Sequence, residues 1–152
     1  MDGGKLVKGR KRHLLVDTAG LVLTAVVSAA DVLDRAGGEL VGWALKLFGP
    51  PLPRLVTVWV DGAYEHLGEW ARAVMGRELE VVTRSEEQKK ATGFVVLPQR
   101  RKVERTFAWL GRFRRLSTDY EYRVESSEAF IYLAMSVHML RRLAAHQPAG
   151  ST

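Results

Sequence analysis

The sequence predicts one α/β domain, a mixed sheet flanked by helices. Three observations carry that reading. Short apolar runs rich in β-branched residues alternate with longer helical stretches. Breaks made of glycine and proline separate them. The chain has 152 residues, 47% hydrophobic and 26% charged, which suits one compact domain. With no cysteine in it, a disulfide framework, a thiolate zinc site and a cysteine nucleophile are excluded together. The start is basic and glycine-containing, unlike a secretory leader, and the longest apolar run, residues 129–135, is far short of the roughly 18 residues a membrane span needs. A cytoplasmic protein with no membrane partner is expected.

Residues 13–17 (HLLVD) and 21–27 (LVLTAVV) read as two strands, joined by Thr18-Ala19-Gly20 as a hairpin turn. A helix opens at 31–34, where Asp31 or Asp34 can cap it, and runs through ELVGWALKLF to Phe48. Gly49-Pro50-Pro51-Leu52-Pro53 stops it. Residues 55–60 (LVTVWV) form a buried strand ending on Asp61-Gly62, followed by a helix over 66–75 and a strand over 79–83. The polar stretch 85–93 reads as a loop, and 94–97 is a short apolar piece ending at Pro98. From 102 to 116 the spacing is helical, with Val103, Phe107, Leu110 and Arg114 on one face. Ser126 or Ser127 can cap a last helix whose part 130–140 is apolar nearly all round and therefore expected to be buried. The domain spans 1–146, and 147–152 is a disordered tail.

The net charge of +6 is unevenly placed. Residues 1–13 carry five basic side chains and one acid, and residues 99–115 carry seven and one. These thirty residues hold +10, which leaves −4 on the remaining 122. The second cluster is interleaved with Phe107, Trp109 and Phe113. Such clusters suit either a nucleic-acid backbone or a solvated helix face.

Two carboxylates could carry chemistry. Asp61 ends an apolar strand, where ligands of α/β sheets collect, although Asp-Gly is also a common turn pair. Glu104 is the one acid in the basic helical segment, with Ala108 and Gly111 continuing its face; it could equally be a helix glutamate paired with arginine. Paired carboxylates from separate elements, beside Lys/Arg clusters, suit a Mg²⁺ site acting on phosphodiesters. The four histidines show no metal-ligand spacing, and His138 reads as structural. Neither a phosphate-binding glycine loop nor a G-x-S-x-G context occurs.

Three stretches carry a resemblance. Residues 8–18 (KGRKRHLLVDT), 60–64 (VDGAY) and 103–121 (VERTFAWLGRFRRLSTDYE) resemble motifs of bacterial insertion-sequence transposases of the DDE type, in the group around insertion sequences four and five. The likeness runs from about residue 3 to 145. It implies an RNase H-like core and Mg²⁺- or Mn²⁺-dependent cleavage and strand transfer at the ends of the element. Asp61 would be the second metal-binding aspartate and Glu104 the glutamate, with catalysis and metal binding resting on both. Double-stranded DNA would meet Lys8, Arg10, Lys11, Arg12, Arg100, Arg101, Arg105 and Arg112. The family's basic position about seven residues past the glutamate is Gly111 here, so Arg112 is the nearest substitute. In such proteins the first aspartate lies on a central strand preceding the KGRKRH segment, and this chain starts after it. Asp2 lies in no apolar strand, and Asp17 suits a hairpin corner. Losing that strand leaves unpaired edges on both sides of a gap. The resemblance thus implies a truncated or frameshifted transposase deficient alone, with self-association or an upstream-encoded fragment as partners. The alternatives are a non-catalytic DNA-binding remnant of such a transposase and an RNase H-like nuclease of other purpose.

Overall fold

The computed structural model of the chain describes residues 9–82 and 98–146, the side chains of Pro98, Arg100 and His146 excepted. The elements run β1 (Arg10–Val16), β2 (Val22–Ala29), α1 (Asp34–Phe48), β3 (Thr57–Val60), a 3-10 turn (Gly62–Leu67), α2 (Gly68–Met75), β4 (Glu78–Val81), α3 (Pro98–Gly111), the short α4 (Arg114–Ser117) and α5 (Val124–His146). The expected loop over 85–93, the apolar piece 94–97 and the tail 147–152 lie outside the described residues.

The predicted hairpin forms, with longer strands than the apolar runs alone suggest, because Arg10, Lys11 and Arg12 join the ladder opposite Ala29, Ser28 and Val27. Asp17 shapes the turn: its Oδ1 accepts the amides of Ala19 and Leu21, both at 2.8 Å. Gly20 there has φ +84°, a conformation that favours glycine, and a Cβ on it would come within 3.1 Å of Thr106 Oγ1. Fully buried Thr106 donates to the Gly20 carbonyl at 2.6 Å, so α3 is pinned to the tip of the hairpin.

Successive side chains of a strand face opposite ways. Leu14, with Ala25 and Val27 on β2, packs into a core completed by Leu110, Leu116, Ile131, Ala134 and Met135 from α3, α4 and α5. On the other face His13 lies under α1, where Gly37 approaches so closely that a Cβ there would collide with the imidazole ring. The hairpin is therefore covered on both faces.

Neither Asp31 nor Asp34 caps α1. Leu33 occupies that position without a side-chain cap, because the Asp34 carboxylate pairs with Lys11 Nζ at 3.1 Å instead. Gly49 ends the helix in an extended conformation (φ −74°, ψ 158°), as the following Pro50 requires. The helix expected over 66–75 is a 3-10 turn followed by α2, and the strand placed at 79–83 runs over Glu78–Val81. The helix expected over 102–116 starts earlier and breaks after Gly111. Arg112 and Phe113 donate to the carbonyls of Trp109 and Leu110, three residues back, before α4 begins. Ser127 does not cap α5. It is buried within the first turn and donates to Asp119 Oδ1 at 2.9 Å. Nor is α5 buried all round: Ile131, Ala134 and Met135 are inside, but Leu133 and Leu140 are 58% and 65% exposed.

The α/β class holds. The strands form two separate pairs among the described residues, β1 with β2 antiparallel and β3 with β4 parallel. β1 and β3 line opposite walls of two adjoining cavities of about 750 and 350 Å³. The larger cavity touches Asp17, Thr18, Leu55 and Thr57, the smaller Arg12, His13, Val60 and Asp61, so β1 runs antiparallel to β3 across this slot. No helix among the described residues is long and apolar enough to cross a membrane.

Candidate active site and nucleic-acid interface

Asp61 follows directly on β3 and caps the 3-10 turn, its Oδ1 accepting the Ala63 amide at 3.0 Å. The Asp-Gly pair thus makes a turn, as its composition suggests, and that turn fixes one carboxylate oxygen at the carboxyl end of a strand. Glu104 lies on the exposed side of α3. The two carboxylates, 43 residues apart in sequence, line the same 350 Å³ cavity. Tyr64, Gln99, Val103 and Phe107 share its wall. Burial pushes the Tyr64 phenol above its ordinary range, and the negative charges of Asp34 and Asp61 add to this.

Hard carboxylate oxygens suit Mg²⁺, which one or two protein carboxylates commonly hold together with waters and substrate phosphates. Asp61 and Glu104 fit one such ion on donor chemistry. Among the described residues there is no cluster of three or more His, Cys, Asp or Glu able to hold a metal.

The basic residues fall into two groups. Arg10, Lys11 and Arg12 have partners inside the fold. Arg10 donates to the carbonyls of Glu121 (2.9 Å) and Tyr122 (2.6 Å) and pairs with Asp119 at 3.3 Å. Arg12 donates to the Leu116 carbonyl at 2.7 Å, capping the end of α4. Lys11 donates to the Val32 carbonyl at 3.0 Å besides its pair with Asp34. On α3, Arg105 lies over the Trp109 ring and reaches the Ala19 carbonyl at 3.0 Å. Arg101 and Arg112 are exposed, with no ion pair among the described residues. Lys8 lies outside the described residues, and Arg100 stands in the first turn of α3.

Charge alone did not mark three further features of this region. Trp59 lines both cavities, donates to Glu80 at 2.9 Å and lies under Lys102. Phe107, one helical turn beyond Glu104, is 38% exposed on the smaller cavity. His138 stacks on Trp109 with ring centroids 4.1 Å apart, a structural role as expected, and burial pulls its pKa down with Arg142, Arg112 and Arg141 adding to that.

A family model described as "Transposase DDE domain" matches residues 1–139. The chain belongs to this DDE transposase family. It is 32% identical over 129 residues to the transposase ascribed to insertion sequence element IS402 of Burkholderia cepacia, a match covering 82% of the chain. The chain spans 60% of the length of that relative. No solved structure matches it. Asp61 and Glu104, which both line the smaller cavity, stand in the DGAY and VERTF segments through which the sequence resembles these transposases.

Proposed function

We propose that this chain acts in DNA transposition as the part of a DDE transposase that supplies Asp61 and Glu104 to a divalent-metal site. The observation that carries this is their convergence on one cavity from separate elements. Mg²⁺ or Mn²⁺ bound there would supply water activation and stabilisation of the leaving oxygen of a phosphodiester. Asp61 is already oriented by its turn, and Glu104 projects from a helix pinned at Thr106. Arg101 and Arg112 offer exposed charge to double-stranded DNA, with Lys8, Arg100 and Arg105 the further cations that the resemblance assigns to it. The core is RNase H-like, with the strand that bears the first aspartate belonging between β1 and β3.

Two carboxylates make a poor cage for two metal ions, so the 152-residue chain alone is deficient in cleavage. The test is Mn²⁺ titration followed by nuclear magnetic resonance, together with a duplex-nicking assay. Paramagnetic broadening centred on Ala63 and Phe107, lost in Asp61→Asn and in Glu104→Gln, supports the site. Efficient nicking by the isolated chain, abolished by Asp61→Ala, would overturn the deficiency. A non-catalytic DNA-binding remnant is favoured instead if DNA binding persists while neither substitution changes metal binding.

A further inference from the structure

A second convergence of side chains lies outside both cavities, where α3 and α5 meet. The edge of β2 holds α5 in place: the amides of Ala25 and Val27 donate to the Tyr132 hydroxyl and to Glu128 Oε1, each at 2.9 Å. Further along α5, His138 stacks on Trp109 of α3 with ring centroids 4.1 Å apart. Arg141 and Arg142 follow His138 by three and four residues, the spacings that make neighbours on a helix surface. Arg112 stands three residues beyond Trp109, and its amide donates to the Trp109 carbonyl at 3.2 Å. Three guanidiniums from two elements therefore gather about one imidazole. Burial lowers the His138 pKa first, then the charges of Arg142, Arg112 and Arg141, so every charge that shifts it is positive. All three arginines are exposed. No carboxylate pairs with Arg112 or Arg141 among the described residues.

Like charges held together on packed helices repel one another, and an anion between them relieves that repulsion. The helix dipole does not account for the pair on α5, because its effect is confined to the last turn and α5 continues to His146. We propose that Arg112, Arg141 and Arg142 form a clamp for backbone phosphates of duplex DNA, separate from the carboxylate site. Each guanidinium offers a planar fork of donors that matches phosphate oxygens. The stack of Trp109 on His138 fixes the two backbones from which the arginines project, so little order has to be gained on binding. Arg101 and Arg105, four residues apart on α3, join the clamp to the surroundings of Glu104. Glu104 and Arg112 are eight residues apart, about 12 Å at helical rise. A duplex lying along α3 passes roughly three or four base steps over that length. The clamp therefore grips DNA to one side of the bond that the carboxylates address, and sets the direction in which the duplex leaves it. The choice of DNA as ligand rests on the transposase reading above; the side-chain cluster stands without it.

The test compares the full 152-residue chain with the double variant Arg141→Gln/Arg142→Gln, using a duplex of arbitrary sequence in fluorescence anisotropy over a range of salt. In the double variant the salt slope is expected to become shallower by about 1.8, and affinity at about 0.1 M salt to fall at least roughly fivefold. Arg141→Lys/Arg142→Lys keeps both charges and is expected to retain the slope. Arg35→Gln, on α1 across the hairpin, should leave it unchanged. An unchanged slope in the Gln double variant overturns the clamp. So does a lowered urea midpoint in that variant together with no recovery of affinity in the lysine variant, which would assign the arginines to the fold. Inorganic phosphate distinguishes a free anion from the duplex: if it shifts the His138 ring resonances and the duplex does not, the DNA clamp fails. Mn²⁺ broadening separates this proposal from the metal site. If Ala63 and Phe107 are not broadened while the Gln double variant loses its slope, the clamp stands and the metal reading fails; the opposite pair of results removes the clamp alone.

Discussion

The two basic segments look alike in sequence and differ in what the fold does with them. In residues 10–12 the arginines sit on a strand covered on both faces, and strand alternation sends Arg10 and Arg12 toward α4 and α5 and Lys11 toward α1. Their donors meet carbonyls left open at helix ends and in the loop that follows α4. In residues 99–115 the charges ride α3, with its one buried stripe, and the break after it, so Arg101 on the helix and Arg112 in the break remain in solvent. A guanidinium on a buried strand serves the fold; one on the outer face of a helix is available to a partner.

The strongest way to break this contrast is Arg10→Ala. It leaves two carbonyls and Asp119 without their cation in a half-buried setting, and a loss of about 3 kcal/mol is expected in urea unfolding. If DNA affinity fell with no loss of stability, the inward assignment would be wrong. Gly37→Ala attacks the same segment from α1. The added methyl meets the buried His13 ring, and about 2 kcal/mol of destabilisation should appear as a lower urea midpoint at unchanged slope. Arg12→Ala removes a single bond to Leu116 and should cost about 1.5 kcal/mol by the same measurement.

The inner segment should also be sensitive to pH. Burial holds the His13 imidazole below its ordinary value of 6.5, outweighing the pull of Asp34 in the other direction, and Nε2 lies 2.9 Å from Ser28 Oγ. The unfolded chain then binds a proton that the folded chain refuses. Stability is complete above about pH 6.5 and declines as pH falls toward the depressed folded-state value. His138 shifts the same way. Unfolding midpoints measured between pH 7.5 and 5 in the chain and in His13→Gln should diverge, the variant showing the flatter profile.

On the outer segment the smallest stability effects are expected. Arg101→Ala and Arg112→Ala should each change stability by less than about 0.5 kcal/mol. Each should lower duplex affinity and reduce the salt slope by about 1 in fluorescence anisotropy. A stability loss matching that of Arg10→Ala would erase the distinction.

Element order was legible because its signals are local. Asp17 and Gly20 specify their turn through one carboxylate and one positive φ, and Gly49 with Pro50 ends α1 by backbone sterics alone. The resemblance motifs likewise singled out Asp61 and Glu104, which the fold brings to one cavity. What sequence could not supply depends on partners distant along the chain. Asp34 and Ser127 are good capping residues in isolation, but Lys11 in one case and Asp119 with Arg10 in the other compete for their side chains. The exposed face of α5 escaped a hydrophobicity reading for the same reason, since nothing local distinguishes Leu133 from Ile131. The inward turn of Arg10 is invisible until Glu121 and Tyr122, more than a hundred residues on, come alongside.

The covering of β2 by Tyr132 and Glu128 bears on aggregation. A hairpin with both edges open could stack copies without limit, each exposing a fresh template for the next. Here one edge is closed by side chains, and the other opens into a space walled by β3. Among the described residues the hairpin therefore leaves one edge open, and growth into a fibre has no second edge of the hairpin from which to continue.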